Sequence, residues 1–304
     1  MISTKIRVIQ CFNNANIDIR SFIKSLGITV PDDKEFLQLS KSTPMNAKTE
    51  ELHSINYERG ILLYALIAKY KPQNVLEIGT AKGYSTLCMA WAMHDHDIHG
   101  TIYTIDPTLE TKFEIKIDDK INVLTTTQLW KKIVPREWIS KIKPLVGYSG
   151  EIMSKYNFPK MNFAYIDGHH VYEAVEHDFY AFLNISSNNF RILFDDYALS
   201  DGVTKLIDNN VSENFNGVLI KTNTEHPYKE LGFNMNSKFD VYHAMCWFQY
   251  DSLKKSLQLA YPIHKINDVR KKYRKFEKRW ILRQKINQKI PILKNIRFSK
   301  YFHS

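Results

Sequence analysis

Cysteine is scarce: three in 304 residues, Cys11, Cys88 and Cys246, standing far apart and without metal-ligand spacing. That pattern argues against a disulfide framework and against a thiolate zinc site, and it suits reduced core thiols in a cytoplasmic protein. No apolar stretch approaches the roughly 20 residues that a membrane-spanning helix requires. Residues 1 to 22 lack a continuous apolar run followed by a small-residue cleavage site, so no secretory signal is expected. Internal repeats and low-complexity linkers are also missing. Most of the chain lacks any excess of charge. Of the net +10, the segment from Asp251 to Ser304 holds 16 Lys and Arg against 3 acids, whereas the first 250 residues hold 26 against 29. A body of that balance does not read as a nucleic-acid surface, and the basicity belongs to an attached tail.

What is present is enough chain for one large α/β domain with appendages. Three parts are expected: a polar-helical lead-in or cap over 1–54, a catalytic domain over 55–250, and a basic tail over 251–304. Residues 55 to 70, INYERGILLYALIAKY, have helical apolar spacing and stop before Lys71-Pro72. The first strand follows at Asn74 to Ile78. Further strands are predicted at 100–105, 121–125, 162–166 and 190–194, with helices between most of them. A helix at 202–210 and two last strands at 216–222 and 238–247 complete the set. Such alternation predicts a Rossmann-like, mostly parallel seven-stranded sheet with helices on both faces and an antiparallel last hairpin. In the tail, Ile266, Val269, Tyr273, Phe276 and Trp280 recur at three- and four-residue steps, which marks one face of an amphipathic helix.

The most informative segment is VLEIGTAKGYST, residues 75–86. A short apolar run ends in Glu77, the turn Gly79-Thr80-Ala81-Lys82-Gly83 follows, and Tyr84 to Met93 is helix-compatible. Glycines at such a strand-to-helix turn allow positive φ and close approach of a ligand, as in nucleotide-cofactor cradles. The spacing is not the G-x-G-x-x-G of dinucleotide enzymes, and there is no phosphate-gripping Lys-Ser/Thr pair. In an open parallel sheet the ligand lies beyond the carboxyl ends of the strands, and those ends are acidic here: Glu77, Asp106, Asp167 and the pair Asp195-Asp196. Asp106 lies 23 residues after Gly83, where an acid can accept hydrogen bonds from ribose hydroxyls. Glu77 is suited to orienting the turn or meeting a cofactor amino group, and Gly147-Tyr148-Ser149 to bordering an adenine. Thr80, Tyr84 and Ser85 belong to the same cradle.

Asp167, Asp195 and Asp196 would repel one another if they converged, and relief requires a cation or raised pKa values. An all-oxygen set of this kind favours Mg²⁺, with Ca²⁺ or Mn²⁺ as alternatives. His169 and His170 follow directly. Either could cap the next helix, face solvent, or serve as a general base, with His170 preferred for that role. His94, His96 and His99 fit a polar loop better than a metal site.

Together, VLEIGTAKGYST, TIDP, YIDGHHVYEAVEHD and LFDDY resemble the class I S-adenosylmethionine-dependent methyltransferases. Within that class they are similar to the branch of metal-dependent macrocin- and mycinamicin-type sugar O-methyltransferases. The resemblance spans about residues 55 to 247. It implies cofactor contacts at Glu77, Gly79, Gly83 and Asp106, metal ligands at Asp167, Asp195 and Asp196, and a base at His170. The Asp-Asp pair and the histidines depart from catechol-type relatives, which makes catechol acceptors less suited. The expected activity is Mg²⁺-assisted methylation of a hydroxyl on a sugar or another small polyhydroxylated acceptor. Two alternatives stand: a nucleic-acid methyltransferase using the tail, disfavoured by the lack of an Asn-Pro-Pro-Tyr motif or an active-site Pro-Cys pair, and a non-catalytic scaffold that kept the cofactor fold. For the tail the options are packing on the body, packing on a second subunit, or peripheral contact with an anionic membrane.

Overall fold

The computed structural model describes residues 16–44, 51–117, 119–197, 200–211, 217–225, 242–251 and 263–289. The framework is an eight-stranded sheet in the order β1-β9-β10-β8-β7-β2-β3-β6. Its strands are β1 (Asn16–Asp18), β2 (Asn74–Ile78), β3 (Thr101–Asp106), β6 (Ile142–Val146), β7 (Met161–Ile166), β8 (Ser186–Tyr197), β9 (Gly217–Glu225) and β10 (Tyr242–Asp251). Strands β6, β3, β2, β7 and β8 run parallel, β10 runs antiparallel to both β8 and β9, and β1 joins β9 in parallel at the far edge. The expected parallel sheet and antiparallel last hairpin are therefore present, with one strand more than the seven predicted. Of that last hairpin, residues 216 and 238–241 lie outside the described residues.

The helices are α1 (Ile19–Ser25), α2 (Asp33–Ser42), α3 (Glu51–Tyr70), α4 (Tyr84–Asp95), α5 (Thr126–Ile133), α6 (Arg136–Ile139), α7 (Ser149–Lys155), α8 (Tyr172–Ile185), α9 (Asp201–Leu206), which continues as a π-turn over Ile207–Val211, and α10 (Ile263–Lys289). Helix α3 is buried on every side from Ile61 to Ala68. It lies in one core with Phe22 and Ile23 of α1, Phe36 of α2 and the face of α4 from Leu87 to Met93. It stops where Lys71 turns to φ 44° ahead of Pro72, which cannot continue a helix. Asp18 caps α1 by accepting from the Ser21 N–H, and Asp32 with Glu35 forms a capping box on α2. Strand β2 is central, flanked by β3 and β7, so its run Val75-Leu76-Glu77-Ile78 is buried on both faces.

One predicted strand changes place. Residues 120–124 do form a strand, β5, but it pairs only with β4 (Phe113–Ile117) in a separate hairpin, and Ile121 is 75% and Val123 56% exposed. The third position in the parallel sheet, beside β3, belongs to β6. Alternating Ile and Val report an extended segment but not its partner, and Pro144 disguised β6, since a proline fits only at an edge such as this one.

Within the parallel core the chain runs first through β2, moves outward through β3 to β6, and then crosses back to β7 on the other side of β2. The reversal opens a crevice at the carboxyl ends of β2 and β7, the position at which doubly wound sheets bind ligands. The basic helix α10 lies along α8 and reaches α7, with Ile266, Val269 and Tyr273 buried against the body. The amphipathic face read from the sequence is thus a packing face. Cys88 and Cys246 are buried free thiols, and Cys11 lies outside the described residues. No helix among the described residues is long and apolar enough to cross a membrane.

Candidate active site

The turn after β2 is built on two glycines that a side chain would destroy. Gly79 has φ 98° and Gly83 φ 88°, both left-handed. A Cβ on Gly79 would lie 2.0 Å from the Asp167 carbonyl oxygen, and one on Gly83 would lie 2.3 Å from the Trp130 indole nitrogen. The glycines therefore let the turn fit against β7 and α5 as well as leaving its backbone open. The Trp130 indole N–H donates to the Lys82 carbonyl at 3.0 Å and completes the brace.

Glu77 lies behind this turn, fully buried. Ser85 and Thr104 each donate to it at 2.5 Å, and Thr86 donates as well. The Thr80 and Thr104 hydroxyls are 2.5 Å apart and extend the network. Burial raises the Glu77 carboxyl to about 7 despite the three hydroxyl donors. Its hydrogen-bond partners are side-chain hydroxyls, and through Ser85 and Thr86 it ties the strand to the helix beyond the turn.

Asp106, at the end of β3, accepts from the Ala81 N–H at 2.9 Å through one oxygen and from the Thr108 N–H and hydroxyl at 2.7 Å through the other. Its carboxylate is fixed between the glycine turn and its own loop. Both sides face a cleft of about 610 Å³, bordered further by Ile105, Gly147, Tyr148, Ser149, Asp167, His169 and His170. The volume lies within the range that holds a nucleoside-sized ligand. Tyr84 and Ser85 lie one layer deeper, around a smaller recess that also includes Thr43, Arg59 and Tyr165.

At the other end the acids divide into two groups. Asp167, His170 and Asp196 bring their ligand atoms within 4.8 Å of one another, the one such cluster among the described residues. His170 Nε2 is 3.0 Å from Asp196 and 3.5 Å from Asp167. Partial burial works to lower the His170 pKa, but Asp196 and Asp167 outweigh it and push it up to about 9, so the imidazole is cationic at neutral pH. Asp195, only 1% exposed, points elsewhere. It forms an ion pair with Arg59 and accepts from the Tyr165 hydroxyl at 2.7 Å. Arg59 lies 3.6 Å from Asp167 as well. Burial opposes its charge, yet Asp195 and the neighbouring acids hold its pKa well above the ordinary value. Asp167 itself is raised by burial and by Asp195. The three-aspartate cluster expected from the sequence is accordingly two aspartates with a histidine, and the repulsion among the acids is relieved by Arg59 and His170.

The surrounding backbone fixes this arrangement. Asp196 adopts φ 54°, unusual for a non-glycine residue, with its N–H held by the Asp195 carboxylate at 2.9 Å. Ser200 donates to the His170 carbonyl at 2.9 Å, and Gly202 allows α9 to pack against the His170 to Tyr172 backbone. His169 and His170 do not cap α8, which begins at Tyr172 with Val171 as its cap. Arg59 went unnoticed in the sequence because it precedes Asp195 by 136 residues; the signal was a Glu-Arg pair inside an otherwise apolar helix. Tyr165 was legible in principle, since it lies two residues before Asp167 on the same strand and hence on the same face.

A parallel sheet with a glycine turn and a strand-end acid at its switch point is the arrangement in which doubly wound α/β proteins bind nucleotide cofactors. Residues 76–197 match the family described as a methyltransferase domain. The match spans 122 of the chain's 304 residues, from β2 to the end of β8. Among solved structures the chain is similar to an O-methyltransferase from Bacillus cereus in complex with SAH, at 15% identity over 74% of this chain and 94% of that one, with a TM-score of 0.47. It is also similar to the O-methyltransferase TomG from Streptomyces achromogenes, involved in tomaymycin synthesis and solved with SAM, at 14% identity over 79% and 98%, TM-score 0.49. A third is the SAH-bound methyltransferase PaMTH1 from Podospora anserina, at 14% identity over 82% and 96%, TM-score 0.43. No curated protein matches the chain by sequence.

Proposed function

We propose that the protein transfers the methyl group of S-adenosylmethionine to a hydroxyl oxygen of a sugar or another small polyhydroxylated acceptor. The observation that carries this reading is the convergence of Asp167, His170 and Asp196 at one end of the cleft whose other strand end presents Asp106. In this reading Gly79, Thr80 and Gly83 shape the cofactor turn, and Glu77, Tyr84 and Ser85 support it from behind. Asp106 accepts from the ribose hydroxyls, and Tyr148 and Ser149 border the adenine. The acceptor oxygen attacks the methyl carbon in line with the sulfonium, the new C–O bond forms as the C–S bond breaks, and sulfur keeps the electron pair. The acceptor's proton passes to the Asp167–His170–Asp196 cluster, with the Asp167 carboxylate as the recipient and cationic His170 beside it.

The donor set, two carboxylates and an imidazole, fits a divalent cation. Asp167 and Asp196 would hold it, with His170 beside them, whereas Asp195 is taken by Arg59 and Tyr165. Such a cation would lower the pKa of a bound hydroxyl. Once His170 gives up its proton its nitrogen can join the donor set, and Mn²⁺ is then as well suited as the Mg²⁺ expected from an all-oxygen set. The exposed cations of α10, among them Lys271, Lys275, Lys278 and Arg279, support a peripheral contact with an anionic surface as a second role for the tail.

The test is transfer of labelled methyl from S-adenosylmethionine to a panel of sugars, before and after chelation and with Asp167→Ala. Transfer to at least one polyol is expected, lost by about 10²-fold or more in the variant. Chelation is expected to lower the rate, with recovery on adding Mg²⁺ or Mn²⁺. Unchanged turnover in Asp167→Ala would remove the cluster from the chemistry.

A further inference from the structure

We infer that α10, formed by the basic segment outside the matched methyltransferase domain, closes the adenine end of the cofactor cleft, and that Glu277 on it accepts a hydrogen bond from the adenine amino group. The inference rests on the S-adenosylmethionine reading above.

Four residues at helical spacing, Tyr273, Phe276, Glu277 and Trp280, turn one face of α10 into a wall of the cleft, opposite Gly79, Ala81 and Asp106. The wall is anchored at both ends. His169 meets Trp280 edge to face with ring centroids 4.4 Å apart and Phe276 at 5.3 Å. Tyr273 stacks on His177 at 4.3 Å, and its hydroxyl is 3.3 Å from Ser149 Oγ. Gly150 makes this approach feasible: a Cβ there would lie 2.5 Å from the Tyr273 ring and 2.7 Å from Glu277 Oε1.

Glu277 is 8% exposed, and its Oε1 is buried without a hydrogen-bond partner. A buried carboxylate oxygen left without a donor is costly; the Gly150 backbone bonds Glu277 but leaves Oε1 unsatisfied, open to a donor from the cleft. The sheet order indicates which donor. Passing from β7 to β3 to β6, the strand ends present Asp167, then Asp106, then Gly147-Tyr148-Ser149. With the sulfonium facing Asp167 and the ribose on Asp106, the base extends toward Ser149 and Gly150, which is where Glu277 stands. The adenine amino group is the donor that end of the cofactor supplies.

The experiment is calorimetric titration of S-adenosylhomocysteine and its deaminated counterpart, S-inosylhomocysteine, into the full-length protein, wild type and E277Q. A hydrogen bond to a charged group corresponds to roughly tenfold or more in affinity. Wild type is expected to favour the adenosyl ligand by at least that ratio. E277Q is expected to narrow or reverse the preference, because its amide can donate to the inosine carbonyl. Glu277→Met, close in shape, is the second variant should E277Q fold poorly, and it too should lose the discrimination. Full wild-type discrimination in either folded variant would overturn the inference while leaving the cofactor reading intact. Failure of both ligands to bind wild type would instead overturn the cofactor reading and the inference with it.

Discussion

The two ends of the cleft solve the same electrostatic problem in opposite ways. At the β2 end the buried acid, Glu77, is bonded by three hydroxyl donors, with no cation paired to it among the described residues, and burial carries it to about 7. At the β7–β8 end the acids are matched by full charges, Arg59 for Asp195 and His170 for Asp167 and Asp196. An acid sealed behind a turn and satisfied by hydroxyls is structural, whereas acids at a cleft mouth remain available to a cation, a proton or a substrate. Acids near equivalent strand ends thus take different roles according to what their neighbours supply, hydroxyls in one case and cations in the other.

The contrast breaks most severely if the charge partner is removed. Arg59→Leu leaves Asp195 buried without its counter-charge, bonded only to neutral donors such as Tyr165 and the Asp196 N–H, which costs on the order of 3–5 kcal/mol. Chemical denaturation should show a large loss of stability, and a loss within a few tenths of a kcal/mol would mean that Arg59 is not the compensating charge.

Glu77→Gln sharpens the comparison from the other side. The folded protein holds the Glu77 proton more tightly than the unfolded chain, whose group titrates near the ordinary 4.5. Its contribution to stability is therefore fully present below that value and is lost as pH rises through about 7, a span on the order of 3 kcal/mol. Relative to Glu77→Gln, wild type should lose stability between pH 5 and pH 8. Parallel curves would mean that Glu77 is already ionised across that window and that its pKa is not raised by folding.

A smaller effect is expected at Asp106. Its carboxylate braces the Ala81 N–H and, as the proposed ribose acceptor, takes the cofactor hydroxyls, so Asp106→Ala should weaken S-adenosylmethionine binding by roughly 10- to 100-fold. The stability change should be modest, because the residue is partly exposed and its remaining partners can reach water.

Much of the fold and site was legible in the sequence, for reasons that also explain what was not. The glycine turn and strand-end acids are local signals, and a parallel sheet places strand ends together whatever the intervening lengths, so Glu77, Asp106, Asp167 and Asp196 were found. The pairing of Asp195 with Arg59 links residues on different layers, and no local spacing encodes it. Residues 120–124 carried a true strand pattern, but partner choice depends on the whole sheet. The periodicity of α10 disclosed a buried face from Ile266 to Trp280 but not that its later turns line the cofactor cleft. That followed only from where α7 and α8 stand, with Gly150 leaving room.

The most direct test separates the two ends in one experiment. S-adenosylmethionine is titrated calorimetrically into wild type, Asp106→Ala and Asp167→Ala, and methyl transfer is measured on the same samples. Wild type should bind, Asp106→Ala should bind at least tenfold more weakly, and Asp167→Ala should bind near-normally while losing transfer. Absence of binding by wild type, or equal binding by wild type and Asp106→Ala, would contradict the assignment of a cofactor end and a chemical end to this cleft.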